Sequence, residues 1–230
     1  ELKKNIKIPN SEIISMLHAF RNVTLNQQPH KAELATLRNR NIDLVTKWQF
    51  MVQLLVSAKQ AIITKHGIQD MEQFKKLLFK AIKQTRQGPE ILAIHQQNWD
   101  DWISYVFPKL NLDFSKEPIT KTKMIRIIDQ LLEEITSKEF VKDVSKIINN
   151  PKLSVEDKGR ELLIEVSNRH RAIMAKYGFK GEEGYIECQR SLVVHFFGDE
   201  DINALSQNVS RVVFNFTSRM VKPADPSVYN

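Results

Sequence analysis

Apolar residues recur at helical spacing, three and four positions apart, along almost the whole 230-residue chain. The first such stretch opens at Pro9-Asn10-Ser11 and carries Ile13, Ile14, Met16, Leu17 and Phe20 on one side, with Asn10 or Ser11 placed to cap it. A short second helix is predicted over about 31–40. Asn41-Ile42-Asp43 opens the third, predicted to be the longest, which ends at Lys65-His66-Gly67, where glycine suits the left-handed turn of a helix stop. Its apolar residues, Leu44 through Ile63, leave only a narrow polar stripe, the pattern of the central helix of a bundle. A fourth helix follows from about Asp70 to Arg86, with Met71, Phe74, Leu78, Ala81 and Ile82 inward. Gly88-Pro89-Glu90 starts a fifth, which stops before Pro108. Residues 109–118 read as a linker, and the pattern then resumes in helices at about 119–136, 138–148, 154–177, 184–197 and 200–221.

Five helices, a linker and five helices suggest a duplication, which register can test. Shifted by 111 residues, Ala61-Ile62-Ile63-Thr64-Lys65-His66-Gly67-Ile68 falls on Ala172-Ile173-Met174-Ala175-Lys176-Tyr177-Gly178-Phe179. Without a gap, Phe74 then meets Tyr185, and Ile91-Leu92-Ala93 meets Ile202-Asn203-Ala204. Phase alone aligns any two amphipathic helices, but it does not explain one offset holding across three pairs with a shared Lys-x-Gly stop. The expected fold is therefore all-α, about ten helices in two tandem five-helix units, forming a bilobed bundle or a short α-solenoid. Unit A spans 8–112, unit B spans 119–222, and 223–230 is a tail.

Composition fits this reading. Hydrophobic residues make up 42%, enough to bury a core, and seven glycines and eight prolines are too few for many tight hairpins. Net charge is +7, and residues 1–100 hold all of it, with 15 Lys/Arg against 8 Asp/Glu. No apolar run reaches the ~18–20 residues of a membrane span. A single cysteine, Cys188, excludes an internal disulfide and a Cys-based zinc site, so an intracellular setting, cytoplasmic or nuclear, is the expectation. Asn22, Asn208 and Asn215 head Asn-x-Ser/Thr triplets, and the last two fall inside an apolar helix, as chance matches do.

The two units diverge on their outer faces. The fourth helix carries Lys75, Lys76, Lys80, Lys83 and Arg86, where its counterpart has Ile186, Glu187, Ser191, Val194 and Phe197. Lys76, Lys80 and Lys83 share a helix face, and Phe79 among them is the aromatic-in-basic pattern that stacks a base while ammonium groups meet phosphates. The bland reading is a solvated face with Phe79 packed on a neighbour. Trp99 and Trp102 form a second candidate, an aromatic anchor for a partner, set against the plainer reading that both are core. Ile186, Val194 and Phe197 give the opposite helix an apolar outer face, which needs cover from unit A or from another chain.

Catalytic constellations are missing. His18, His30, His66, His95, His170 and His195 show no metal-site spacing on a helix, and Cys188 and His195 lie about 10 Å apart along theirs. Asp129/Glu133 is an isolated pair, and the runs Glu182-Glu183 and Asp199-Glu200-Asp201 suit helix starts, where negative charge complements the dipole. Gly178, Gly181 and Gly184 follow no strand, so they read as a mobile connector rather than a phosphate loop. The sequence thus points to a non-enzymatic protein-interaction module of adaptor or scaffold type, needing no cofactor. Other proteins, a second copy included, are its expected partners. The alternative is RNA or other nucleic-acid binding through the basic first unit.

Overall fold

The helical period is realised throughout the computed structural model, which describes residues 8–115 and 118–221. Among these residues there are ten α-helices and no strands: α1 (Asn10–Asn26), α2 (His30–Asn39), α3 (Leu44–Lys65), α4 (Met71–Gln84), α5 (Gly88–Val106), α6 (Lys121–Thr136), α7 (Lys138–Ile148), α8 (Val155–Lys176), α9 (Gly181–Val194) and α10 (Glu200–Val221). The tail read at 223–230 lies outside the described residues.

Short polar side chains set most helix starts. Asp43 accepts a hydrogen bond from the Thr46 amide, Asp70 from Gln73, Ser137 from Phe140 and Ser154 from Asp157. Each satisfies an amide that the helix itself leaves without a partner. The expectation of a side-chain cap from Asn10 or Ser11 is corrected: Pro9 occupies that position, and no side chain caps α1. Asp199 caps α10 through the Ile202 amide, so the acidic run there serves as a helix start.

Two compact units emerge among the described residues, one of residues 8–115 with 192–198, the other of 118–191 with 199–221. In the first unit α1 packs on α2, α3 and α5, α3 also on α2 and α4, and α5 also on α2 and α4. The core is filled by Met16, Leu17 and Phe20 from α1, Leu34 from α2, Met51, Leu55 and Ile63 from α3, Leu78 from α4, and Ile91 and Trp102 from α5. Asn98 donates to the Leu17 carbonyl (2.8 Å), and Trp102 Nε1 donates to Thr24 Oγ1 (2.7 Å), pinning α5 to α1. α3 nevertheless keeps apolar residues in solvent. Phe50 and Val56 stay 41% exposed, with the Arg40 guanidinium over the Phe50 ring. Nor is α3 the longest helix, since α8 and α10 match its 22 residues.

In the second unit α6 packs on α7, α8 and α10, and α7 also on α8 and α10. Met124, Ile127, Leu131 and Ile135 of α6 meet Phe140, Val144, Leu162 and Phe216 as buried residues. Arg169 of α8 ties three helices together. Its guanidinium reaches Glu165 (2.8 Å) on its own helix, Glu134 of α6 (2.8 Å) and Asp143 of α7 (3.1 Å).

α3 and α8 end alike. The Ile63 carbonyl accepts from the His66 and Ile68 amides and Thr64 from Gly67, with Gly67 at φ +74°. Met174 accepts from Tyr177 and Phe179 and Ala175 from Gly178, with Gly178 at φ +94°. This left-handed stop satisfies two otherwise orphan carbonyls in each case. The connector read from Gly178 to Gly184 is shorter than expected, because Gly181 and Gly184 already lie in the first turn of α9.

Candidate functional site

The basic face of α4 is built by an amphipathic helix with one clear inner side. Phe74, Leu78 and Ala81 are buried, which turns Lys75, Lys76, Lys80 and Lys83 to solvent. Arg86 follows just past the helix end and is also exposed. None of these five cations forms an ion pair with another described residue. The four lysines run over about 12 Å of helix from Lys75 to Lys83.

Phe79 does not join them as an open ring. It is half-buried and meets Phe197 edge-on, centroids 6.1 Å apart, with Lys83 Nζ 5.9 Å from its own centroid. A Cβ on Gly198 would come within 2.4 Å of the Phe79 ring, so the glycine is what lets the chain pass this close.

All five apolar interface candidates are inside. Trp99 and Trp102 are core residues of the first unit, 6% and 1% exposed, as the plainer sequence reading had it. Trp99 stacks on Trp48 and sits edge-on to Trp102. Ile186 is fully buried, and Val194 and Phe197 are buried in the 192–198 segment that groups with the first unit. The cover that α9's apolar face called for is thus supplied within the chain.

Lys59 was missed by the sequence reading. It lies on α3 with 6% exposure, in phase with the buried Met51, Leu55, Ile62 and Ile63. Its Nζ stands 4.4 Å from the Trp102 ring centroid, 4.7 Å from that of Trp99 and 5.7 Å from that of Phe20. No described carboxylate pairs with it. Burial, reinforced by the nearby positive charge of Lys75, lowers its pKa to about 7. Beside it, Trp99 Nε1 is buried with no hydrogen-bond partner among the described residues. A lysine falling on the apolar phase of a helix was the available signal. It was lost because one cation in a run of twelve apolar residues reads as part of a polar stripe.

Other reactive groups are held inert. The Cys188 thiol is fully buried, and desolvation pushes its pKa up to about 12, far from nucleophilic thiolate chemistry. His95 bonds the Val193 carbonyl through Nε2 (3.0 Å), and burial and Lys59 push it down to about 3, so its neutral ring is the donor. Desolvation lowers His170 to about 4, beside the Tyr185 ring. Among the described residues no group of three His, Cys, Asp or Glu side chains could hold a metal, and no helix is long and apolar enough to cross a membrane.

No protein-family model, curated protein or solved structure matches the chain. Function has to be argued from its own surfaces and core.

Proposed function

We propose that this chain is a non-enzymatic helical interaction module that binds an acidic protein surface through α4. The observation that carries this reading is the set of five exposed cations, Lys75, Lys76, Lys80, Lys83 and Arg86, none of them drawn into an ion pair with another described residue. Charges left unpaired by their own fold steer and register a partner of opposite sign. We further propose that the scaffold arose by tandem duplication of units 8–112 and 119–222. In support, α3 and α8 have the same length, begin and end 111 residues apart, and carry the same glycine stop.

Nucleic acid is the second reading, because the same lysines suit phosphates. The half-buried setting of Phe79 favours it less, since a base would need an open ring to stack on. The test uses the whole chain and two probes, a poly-glutamate peptide and a single-stranded RNA homopolymer, titrated from low to physiological salt. The acidic peptide should bind, and the combined Lys76→Glu, Lys80→Glu and Lys83→Glu variant should lose at least ten-fold in affinity with unchanged thermal stability. Preferential RNA binding with a steep salt slope would move the assignment to the second reading. Equal binding by the variant would remove α4 from both.

A further inference from the structure

Lys59 is an unusual thing to bury. A lysine taken out of water ordinarily brings a carboxylate with it or reaches its ammonium to the surface. Here neither happens among the described residues. The groups around it are aromatic or carry charge of its own sign. From α5 come Trp99, Trp102 and His95, and His195 of the 192–198 segment acts on His95 in turn. From α4 comes Lys75. α1 supplies Phe20, while its His18 and Arg21 are exposed and its Glu12 is taken up by His66. α2 turns Leu34 and Leu37 inward and leaves Lys31, Glu33 and Arg38 exposed. On α5, Asp101 is engaged by Arg21.

The two protonation states of Lys59 therefore face different environments. The ammonium is opposed by desolvation and by Lys75, and supported by the three ring faces, whose quadrupoles attract a cation. The neutral amine escapes the first two costs and gives up the third. Neither state has a carboxylate to lock it.

We propose that Lys59 is a proton-operated switch in the core of the first unit, whose neutral form lets α3 pack most firmly against α1 and α5 and whose charged form loosens that contact. The sign follows from linkage. Lys59 has an ordinary value of 10.5 when unfolded and about 7 when folded, so between these the unfolded chain holds the extra proton. Stability of the first unit is lowest below pH 7 and climbs as pH rises through that value. The ring faces favour the ammonium and move the transition upward from 7, not below it. The Cys188 thiol, with an unfolded value of 9.0, acts with the opposite sign as pH approaches and passes 9, and it lies in the second unit.

The experiment is an NMR titration of the lysine side-chain nitrogens of the whole chain, paired with tryptophan emission. Trp48, Trp99 and Trp102 are the only tryptophans and all lie in the first unit, so emission reports on that unit alone. One lysine should titrate between about pH 7 and 9, at least ten-fold below the others, with the emission change at the same midpoint. Lys59→Met should remove both signals and flatten the rise in urea midpoint over that range. If that variant fails to fold, Lys59→Arg, charged throughout, should remove them instead. Lysines that all titrate together near 10.5, or two midpoints that disagree in the native chain, would overturn the proposal.

Discussion

The two units fill their interiors with different chemistry, and the proposed 111-residue register allows them to be compared position by position. In the 111-residue register, Lys59 corresponds to His170, Phe20 to Leu131, Trp99 to Ser210 and Trp102 to Val213. The aromatic cage of the first unit has no counterpart in the second. Conversely, Arg169 with Glu134, Asp143 and Glu165 stands where the first unit has Ala58, Val23, Ala32 and Leu54. One unit buries a lone cation among rings, and the other keeps its cation half-exposed within a ring of carboxylates. The difference teaches that an all-helical unit can hold an inner cation either in a network of carboxylates or alone among rings. Of these two cations, only the buried lysine can change its protonation near neutral pH.

The largest test of this contrast is Trp102→Ala. Trp102 is 1% exposed, covers Lys59 and bonds Thr24, so its loss should cost about 3–5 kcal/mol. Urea unfolding followed by the remaining tryptophans should show the first unit losing most of its stability. Val213→Ala, at the corresponding half-buried position, should cost about 1 kcal/mol. Equal losses would mean that the aromatic cage is no more central than its aliphatic counterpart.

A second test uses acid, where the units should behave alike. His95 in the first unit and His170 in the second have folded values near 3 and 4 against an ordinary 6.5. Their pKa values are depressed, so the unfolded chain takes up protons first. Stability is present above pH 6.5 and falls as pH drops toward 4 in both units. Thermal melts at pH 7, 5.5 and 4.5 should show that shared decline, and His170→Phe should lessen it for the second unit. At alkaline pH the units should part. The first gains as Lys59 loses its proton, while the second loses from pH 9 upward because buried Cys188 resists ionisation.

Most of the secondary structure was legible because helices declare themselves locally. The apolar spacing of α6, the Asp70 cap of α4 and Pro89 in the first turn of α5 each depend on neighbours a few residues away. What could not be read depends on partners far along the chain. α9 starts three residues earlier than its apolar pattern suggests, since Gly181 to Gly184 have little hydrophobic content to mark the turn. Trp99 and Trp102 read as core or as an anchor, and Ile186, Val194 and Phe197 as a face needing cover from the first unit or another chain; their burial depends on segments far apart in the sequence. The lysines of α4 lie exposed on the side opposite its buried residues, but whether Phe79 belongs with them turns on Phe197 and Gly198. Lys59 was hidden for the same reason, because its rings come from α1 and α5.

The two glycine stops can be probed where no side chain interferes. A Cβ at Gly67 or at Gly178 would meet nothing within 4 Å, so replacement by alanine isolates the cost of left-handed backbone. Each should lose about 1 kcal/mol, and the losses should agree between the units. A much smaller cost at one site would mean that one stop is held by the rest of its unit and the other by its glycine alone.

The smallest expected effect concerns the feature that looks strongest on paper. Arg169 bonds three carboxylates, yet its side chain is 25% exposed and those of Glu134 and Asp143 are about as accessible. Water and salt screen such pairs, so Arg169→Met should cost about 1 kcal/mol or less, and the loss should shrink further as salt is raised. The methionine keeps the stem's packing, which separates lost charge from lost volume. Set against Trp102→Ala, this would place the stability of the second unit in its apolar contacts, with Arg169 fixing the register of α6, α7 and α8. A loss as large as that of the tryptophan would reverse this ranking and make the ionic tie the true counterpart of the aromatic cage.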